Sequence, residues 1–388
     1  MYKVLTLNKI AKPGLAELER FSEYSDKEAS PDAIILRSYA MHDMELPESL
    51  AAVARAGAGV NNIPIDKCTE RGIVVFNTPG ANANAVKELV IAGLMLTSRK
   101  IWQGINWAQG LKGQDDVPAL VEKGKAAFGG NEITGKTLGI VGVGGAIGTL
   151  VANAAVALGM KVIGYDPYIS DKARGVLSPE VQIAELDAVF AESNFITLHV
   201  PYNSGTKHIV NAETLKACKQ GAVILNFARG ELVNDADIKA ALSGGKIGFY
   251  ITDFPNGELL GVDNVITVPH LGASTEEAEE NCAVMAAVQL KDYLEKGVIV
   301  NSVNFPTMAE REPVKSDKRL CVAYNAEAEQ DVLAGVKDIL AKKGCEFTLD
   351  SAVKGKAGYA LVYVSGGDSS ALDGAVKQLP GVLSARVI

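Results

Sequence analysis

The chain is short of basic charge, of paired cysteines and of histidine, and each shortage closes off a class of function. Lys and Arg total 38 against 46 Asp and Glu, a formal net charge of −8, so no nucleic-acid partner is expected, since such a partner needs clustered cations. The five cysteines (Cys68, Cys218, Cys282, Cys321, Cys345) include no CxxC pair. That spacing fits reduced thiols in a cytoplasmic protein better than a disulfide frame or a zinc site, and no metal is expected. Only four histidines are available for proton transfer near neutral pH. The opening "MYKVLTLNKIAKPG" starts like a strand and turns within about ten residues, unlike a targeting signal.

One long uncharged run does occur. Residues 137–160, "TLGIVGVGGAIGTLVANAAVALGM", exceed the roughly 20 residues that cross a bilayer. Their β-branched start gives way to a glycine cluster and then to helical Ala/Leu/Val spacing, the order of strand, turn and buried helix. A membrane partner is therefore not expected.

With 48% hydrophobic and 22% charged residues, the 388-residue chain has the composition of a globular protein of two or three domains. Short apolar runs alternate with helical stretches through the first hundred residues ("AIILRS" at 33–38, "GIVVFNTPG" at 72–80). The alternation restarts at Thr137 with "TLGIVGVGG", "KVIGYDP", "NFITLHVP", "AVILNFARG", "IGFYITDF" and "NVITVPH". This predicts an α/β chain with two Rossmann- or flavodoxin-like, doubly wound parallel sheets, whose ligands bind outside the carboxyl ends of the strands. Residues 301–317 hold two prolines among many polar residues and read as a linker. After them the order βαββαβ predicts a ferredoxin-like unit.

The turn "VGVGGAIG" (141–148) enters a helix, where free backbone N–H groups and the helix dipole suit a pyrophosphate. Gly142, Gly144, Ala146, Ile147 and Gly148 are the candidates. The spacing GxGxxxG is one residue longer than the usual dinucleotide signature. Asp166 follows Gly148 by 18 residues, about where an acid meets the ribose 2'-OH and repels a 2'-phosphate, which points to NAD over NADP.

The segments "RAGAGVNNIPID" (55–66), the glycine turn, "NFARGELV" (226–233), "TDFPNGELL" (252–260) and "PHLGAST" (269–275) occur in this order. Over residues 1–305 the chain thereby resembles the D-isomer-specific 2-hydroxyacid dehydrogenases. The resemblance implies a substrate-binding domain at 1–97 and 278–303 and an NAD-binding domain at 98–277. The segment 304–317 remains a linker, and 318–388 is similar to an ACT regulatory domain. Assembly is expected as a homodimer, with a tetramer left open.

Arg229, Glu258 and His270 are implied as catalytic residues. Imidazole can take the hydroxyl proton of a 2-hydroxy acid, a carboxylate can orient that ring, and a guanidinium can grip the substrate carboxylate. The family pattern sets His199, Val200, Pro201, Phe227, Ala228, Asp253, Gly272 and Ala273 beside the cofactor. Arg37 and Ser38 are candidates for a phosphate, Gly57, Ala58 and Gly59 for a carboxylate, and Asn84 and Lys87 lie in a similar loop and helix start. A small anionic substrate, a phosphorylated 2-hydroxy acid, is expected. Glu258 precedes His270 by only 12 residues, a shorter loop than the family pattern, which leaves Asp253 as an alternative acid. In the ACT-like unit "YNAEAEQDV" lacks an Asn-x-Pro-Gly turn, so effector binding and assembly both stay open. Rival readings are a reductase of 2-oxoglutarate, hydroxypyruvate or glyoxylate, and an NAD-sensing interaction protein.

Overall fold

The structure, a computed structural model, describes residues 1–311 and 316–388. Five strands, β1 (Tyr2–Leu7), β2 (Ser22–Ser25), β3 (Ala33–Leu36), β4 (Ala52–Arg55) and β5 (Val74–Phe76), form a parallel sheet in the order β2-β1-β3-β4-β5. Seven more, β6 (Thr137–Val141), β7 (Lys161–Tyr165), β8 (Val181–Ile183), β9 (Phe195–Leu198), β10 (Ala222–Asn226), β11 (Ile247–Thr252) and β12 (Val265–Thr267), form a second parallel sheet, β12-β11-β10-β9-β6-β7-β8. Every residue of β3 and of β10 is buried, as strands covered on both faces must be. The strand order reverses beside β6, which makes the end of β6 a topological switch point.

The last four strands are β13 (Lys318–Asn325), β14 (Glu346–Lys354), β15 (Ala357–Ser365) and β16 (Val382–Val387). They form an antiparallel sheet, β14-β15-β13-β16, with helices Glu329–Lys342 and Leu372–Val376 completing the βαββαβ order. The expectation of two parallel-sheet α/β layers and a small ferredoxin-like unit is met. Among the described residues no helix is long and apolar enough to cross a membrane.

By packing, the chain divides into two compact units, Met1–Asn82 with Glu276–Ile388, and Ala83–Thr275. In the first, one apolar cluster runs from Val4 and Phe76 through Leu290 and Tyr293 to Cys321, Tyr359 and Tyr363, so the antiparallel sheet shares a core with the five-stranded one. The helix Glu276–Lys296 lies within this core. Its close approach to the helix Lys12–Leu18 needs Gly14, where an added Cβ would meet Ala283 Cβ at 2.5 Å. A helix leaves its last carbonyls without intrahelical partners, and here side chains cap them. Arg386 donates to the carbonyls of Tyr293 and Leu294 and stacks over the Tyr293 ring at 4.2 Å; Arg319 donates to Lys296 and Tyr359 to Gly297.

The segment read as a linker is packed at its start. Phe305 and Met308 are buried in the same cluster, and Met308 pairs with Ile299 through the backbone. Residues 312–315, within that segment, lie outside the described residues.

Candidate active site

In the second unit β6 ends at the glycine turn and the helix Ala146–Ala157 follows, its N-cap Gly145 carrying no side-chain cap. Gly142 sits at φ 91°, in the left-handed region that glycine enters freely. An added Cβ there would meet the His199 carbonyl oxygen at 2.5 Å and Val200 at 2.9 Å. At Gly148 it would meet the Gly142 oxygen at 2.1 Å. The turn is thus a cradle that side chains would fill, with an uncapped helix start behind it, and these residues fit a pyrophosphate. Asp166, just past β7, accepts the Gly144 N–H at 3.0 Å and the Tyr168 N–H at 3.0 Å, which fixes its carboxylate beside the turn. The predicted turn residues, Asp166, His199 and Val200 are therefore brought together.

His199 follows β9. One ring nitrogen, Nε2, lies 3.0 Å from the Thr197 hydroxyl, while buried Nδ1 has no partner. Burial pushes its pKa down to about 3, so the imidazole is neutral at pH 7. Pro201 offers its carbonyl to Thr206, and buried Phe227 packs against the helix Ala83–Ser98 at Gly93.

A second cluster gathers past β11 and β12. Asp253 is buried, and its two oxygens accept the N–H groups of Leu271 and Gly272 at 2.7 Å each. Burial raises its pKa, against the pull of those two bonds and of His270. His270, exposed at φ 55°, sets its ring edge-on to Phe254 with centroids 5.1 Å apart. Glu258 has a different partner: its Oε2 lies 2.5 Å from Lys239 Nζ, and its side chain is 72% exposed. Lys239 holds that carboxyl below its usual range, and no hydrogen bond or ion pair joins Glu258 to His270. Arg229 is exposed and turns Nη1 back on the Ala228 carbonyl at 2.6 Å. Asn226, at the end of β10, holds the Arg229 carbonyl at 2.8 Å.

The first unit presents its own strand ends. Arg37 follows β3, and Arg55 closes β4 in register with Leu36. Arg37 pairs with Glu279 at 2.8 Å. The Ser38 N–H bonds Asn8, Gly57 takes φ 155°, and the Ala58 carbonyl accepts from Asn77. In the second unit Asn84 donates to Glu88, whose carboxylate is 3.5 Å from Lys87. Sequence reasoning missed Thr197, Lys239, Phe254 and Glu279. Thr197 and Phe254 lie inside the quoted segments "NFITLHVP" and "TDFPNGELL", while Lys239 and Glu279 lie in none. Among the described residues no cluster of His, Cys, Asp and Glu could hold a metal ion.

Residues 92–272 match the D-isomer specific 2-hydroxyacid dehydrogenase, NAD binding domain. The chain is 34% identical over 330 residues to the D-3-phosphoglycerate dehydrogenase of Methanocaldococcus jannaschii, covering 80% of this chain and 61% of that one. It is 36% identical over 289 residues to the hydroxypyruvate reductase of Thermotoga maritima, covering 69% and 88%. The crystal structure of cofactor (NAD+)-bound 3-phosphoglycerate dehydrogenase in Entamoeba histolytica aligns with a TM-score of 0.60 at 26% identity, over 78% of this chain and 98% of that one. The chain belongs to the D-isomer specific 2-hydroxyacid dehydrogenase family, and its cofactor is NAD. It spans less than two thirds of the length of the Methanocaldococcus relative.

Proposed function

We propose that this protein is a D-3-phosphoglycerate dehydrogenase, oxidising 3-phospho-D-glycerate to 3-phosphooxypyruvate at the head of phosphorylated L-serine synthesis. The observation that carries this reading is the pair of guanidiniums, Arg37 and Arg55, at neighbouring strand ends, since a phosphate is best held by such forks. The relatives named for that activity support it. NAD, held at Gly142, Gly144, Gly148 and Asp166, supplies the hydride acceptor. His270 takes the proton of the substrate hydroxyl. Arg229 swings from the Ala228 carbonyl to grip the carboxylate and stabilise the oxygen on carbon 2. Asp253 fixes the loop that carries His270, and Glu258 reaches the imidazole on exchanging Lys239 for it.

In this reading residues 1–97 and 278–303 bind the substrate, 98–277 the nucleotide, and the ACT-like unit at 318–388 serves regulation or assembly. The helices Ile101–Gln109 and Val117–Gly124 bury no residue and expose Trp102, Ile105 and Val117. Such a patch suits a second copy, hence a homodimer, checked by light scattering. Five free cysteines suit the cytoplasm.

The test is a substrate panel with NAD and NADP, with and without L-serine. Turnover of 3-phospho-D-glycerate above all other 2-hydroxy acids is expected, with Arg37→Ala raising its KM and leaving that of NAD unchanged. Hydroxypyruvate reduction is the second reading, favoured by the Thermotoga relative.

A further inference from the structure

The two cations proposed to meet the phosphate have a fixed anion beside them. Glu279 Oε1 stands 2.8 Å from Arg37 Nη1, with the side chains 42% and 39% exposed respectively. One turn along the same helix, where residues three apart share a face, the buried Cys282 thiol is pushed up by burial while feeling Arg37, Arg55 and Glu279 together. Glu279 thus brings a negative charge among the two guanidiniums, and it does so in direct contact with Arg37.

A half-exposed ion pair adds little to stability. Its effect on an incoming anion is larger. A phosphate dianion seated on Arg37 would lie within several ångströms of the Glu279 carboxylate, and that repulsion weakens binding roughly tenfold even at the dielectric of water. A distal hydroxyl meets no such repulsion, and a singly charged phosphate meets half of it.

Resting on the phosphate role proposed for Arg37, we propose that Glu279 is a specificity-determining residue. Its carboxylate on Arg37 limits the negative charge that the distal end of the substrate can carry, disfavouring a dianionic phosphate relative to a hydroxyl or a monoanion. The site thereby favours the phosphorylated 2-hydroxy acid by a smaller margin than Arg37 and Arg55 alone would give.

The experiment compares the full-length wild type with Glu279→Gln and Glu279→Asp. Glutamine keeps the size of the side chain and an acceptor for Arg37 while removing the charge; aspartate keeps the charge. One arm measures kcat/KM with NAD for 3-phospho-D-glycerate and for D-glycerate, and the other measures the Kd of inorganic phosphate by titration calorimetry. E279Q should raise the phosphorylated-to-unphosphorylated ratio about tenfold and tighten phosphate binding by a similar factor, with E279D close to wild type. An unchanged ratio and Kd in E279Q, the same gain in E279D, or no phosphate binding by any of the three overturns the role of Glu279. A wild type that turns over neither substrate defeats the proposed function instead, and the phosphate titration then still decides what Glu279 does.

Discussion

Asp253 and His270 are tied through the main chain: the Asp253 carboxylate takes the N–H groups of the two residues that follow the histidine. His270 itself is held at φ 55°, a conformation that costs a non-glycine residue energy and persists only where its surroundings impose it. The Asp253 carboxylate, together with the bond from the His270 N–H to the Val268 carbonyl at 2.9 Å, holds this turn.

Replacing the base and replacing its anchor should therefore look different. His270→Ala should abolish turnover and leave the Kd of NADH, read by fluorescence titration, unchanged. Asp253→Asn loses an acceptor for one of two N–H groups, that of Gly272 buried and that of Leu271 partly so, and should cost about 1–3 kcal/mol of stability as well as turnover. Thermal unfolding measured beside kcat separates the two. Glu258→Gln, on an exposed side chain, should lower kcat without moving Tm.

His199 makes the second unit acid-sensitive. Its folded pKa, about 3, lies below the unfolded value of 6.5, so the unfolded chain binds the extra proton. The stability tied to the neutral ring is complete above pH 6.5 and is lost as pH falls from there towards 3. Denaturant midpoints measured across that window should fall more steeply for wild type than for His199→Gln.

Gly142→Ala combines an unfavourable φ with a methyl group 2.5 Å from the His199 carbonyl. We expect NADH affinity to drop by about 100-fold, equivalent to roughly 2.7 kcal/mol, in a fluorescence titration. Circular dichroism should show the parallel sheet retained.

Arg386→Met should destabilise the first unit by about 2–3 kcal/mol, the range for hydrogen bonds made by a charged donor, by uncapping the carbonyls of Tyr293 and Leu294. Arg386→Lys should recover part of the loss in a urea titration.

Much of the scaffold was legible because parallel strands write themselves as short apolar runs. "AVILN" and "TLGIV" became β10 and β6, and Asp166 stands beside the glycine turn, accepting the Gly144 N–H. Pairings of long side chains were not legible. Nothing in the periodicity of the helix Asp235–Ser243 says that Lys239 meets Glu258. Glu279 stands in the acidic first turn of the helix Glu276–Lys296, and its contact with Arg37, 242 positions earlier, depends on tertiary packing. Phe305 and Met308 were hidden by the prolines and polar residues around them, which carry the composition of a linker while two side chains enter the core.

The first unit closes with Ser384 on β16 donating to the carbonyl of Gly72 at 3.1 Å, across 312 positions of sequence. On a ribosome adding roughly 5–20 residues per second, that span takes on the order of 15–60 s. The unit Ala83–Thr275 is continuous and can fold as it emerges. On the opening strands Ile34 and Leu36 pack within a cluster drawn from residues 5–75, whereas the cluster around Ile35 is completed by residues 282–308 and by the antiparallel sheet. That face of β3 is made before the whole of the second unit and is shielded only after it, so it is a surface on which a nascent-chain chaperone would have lasting use.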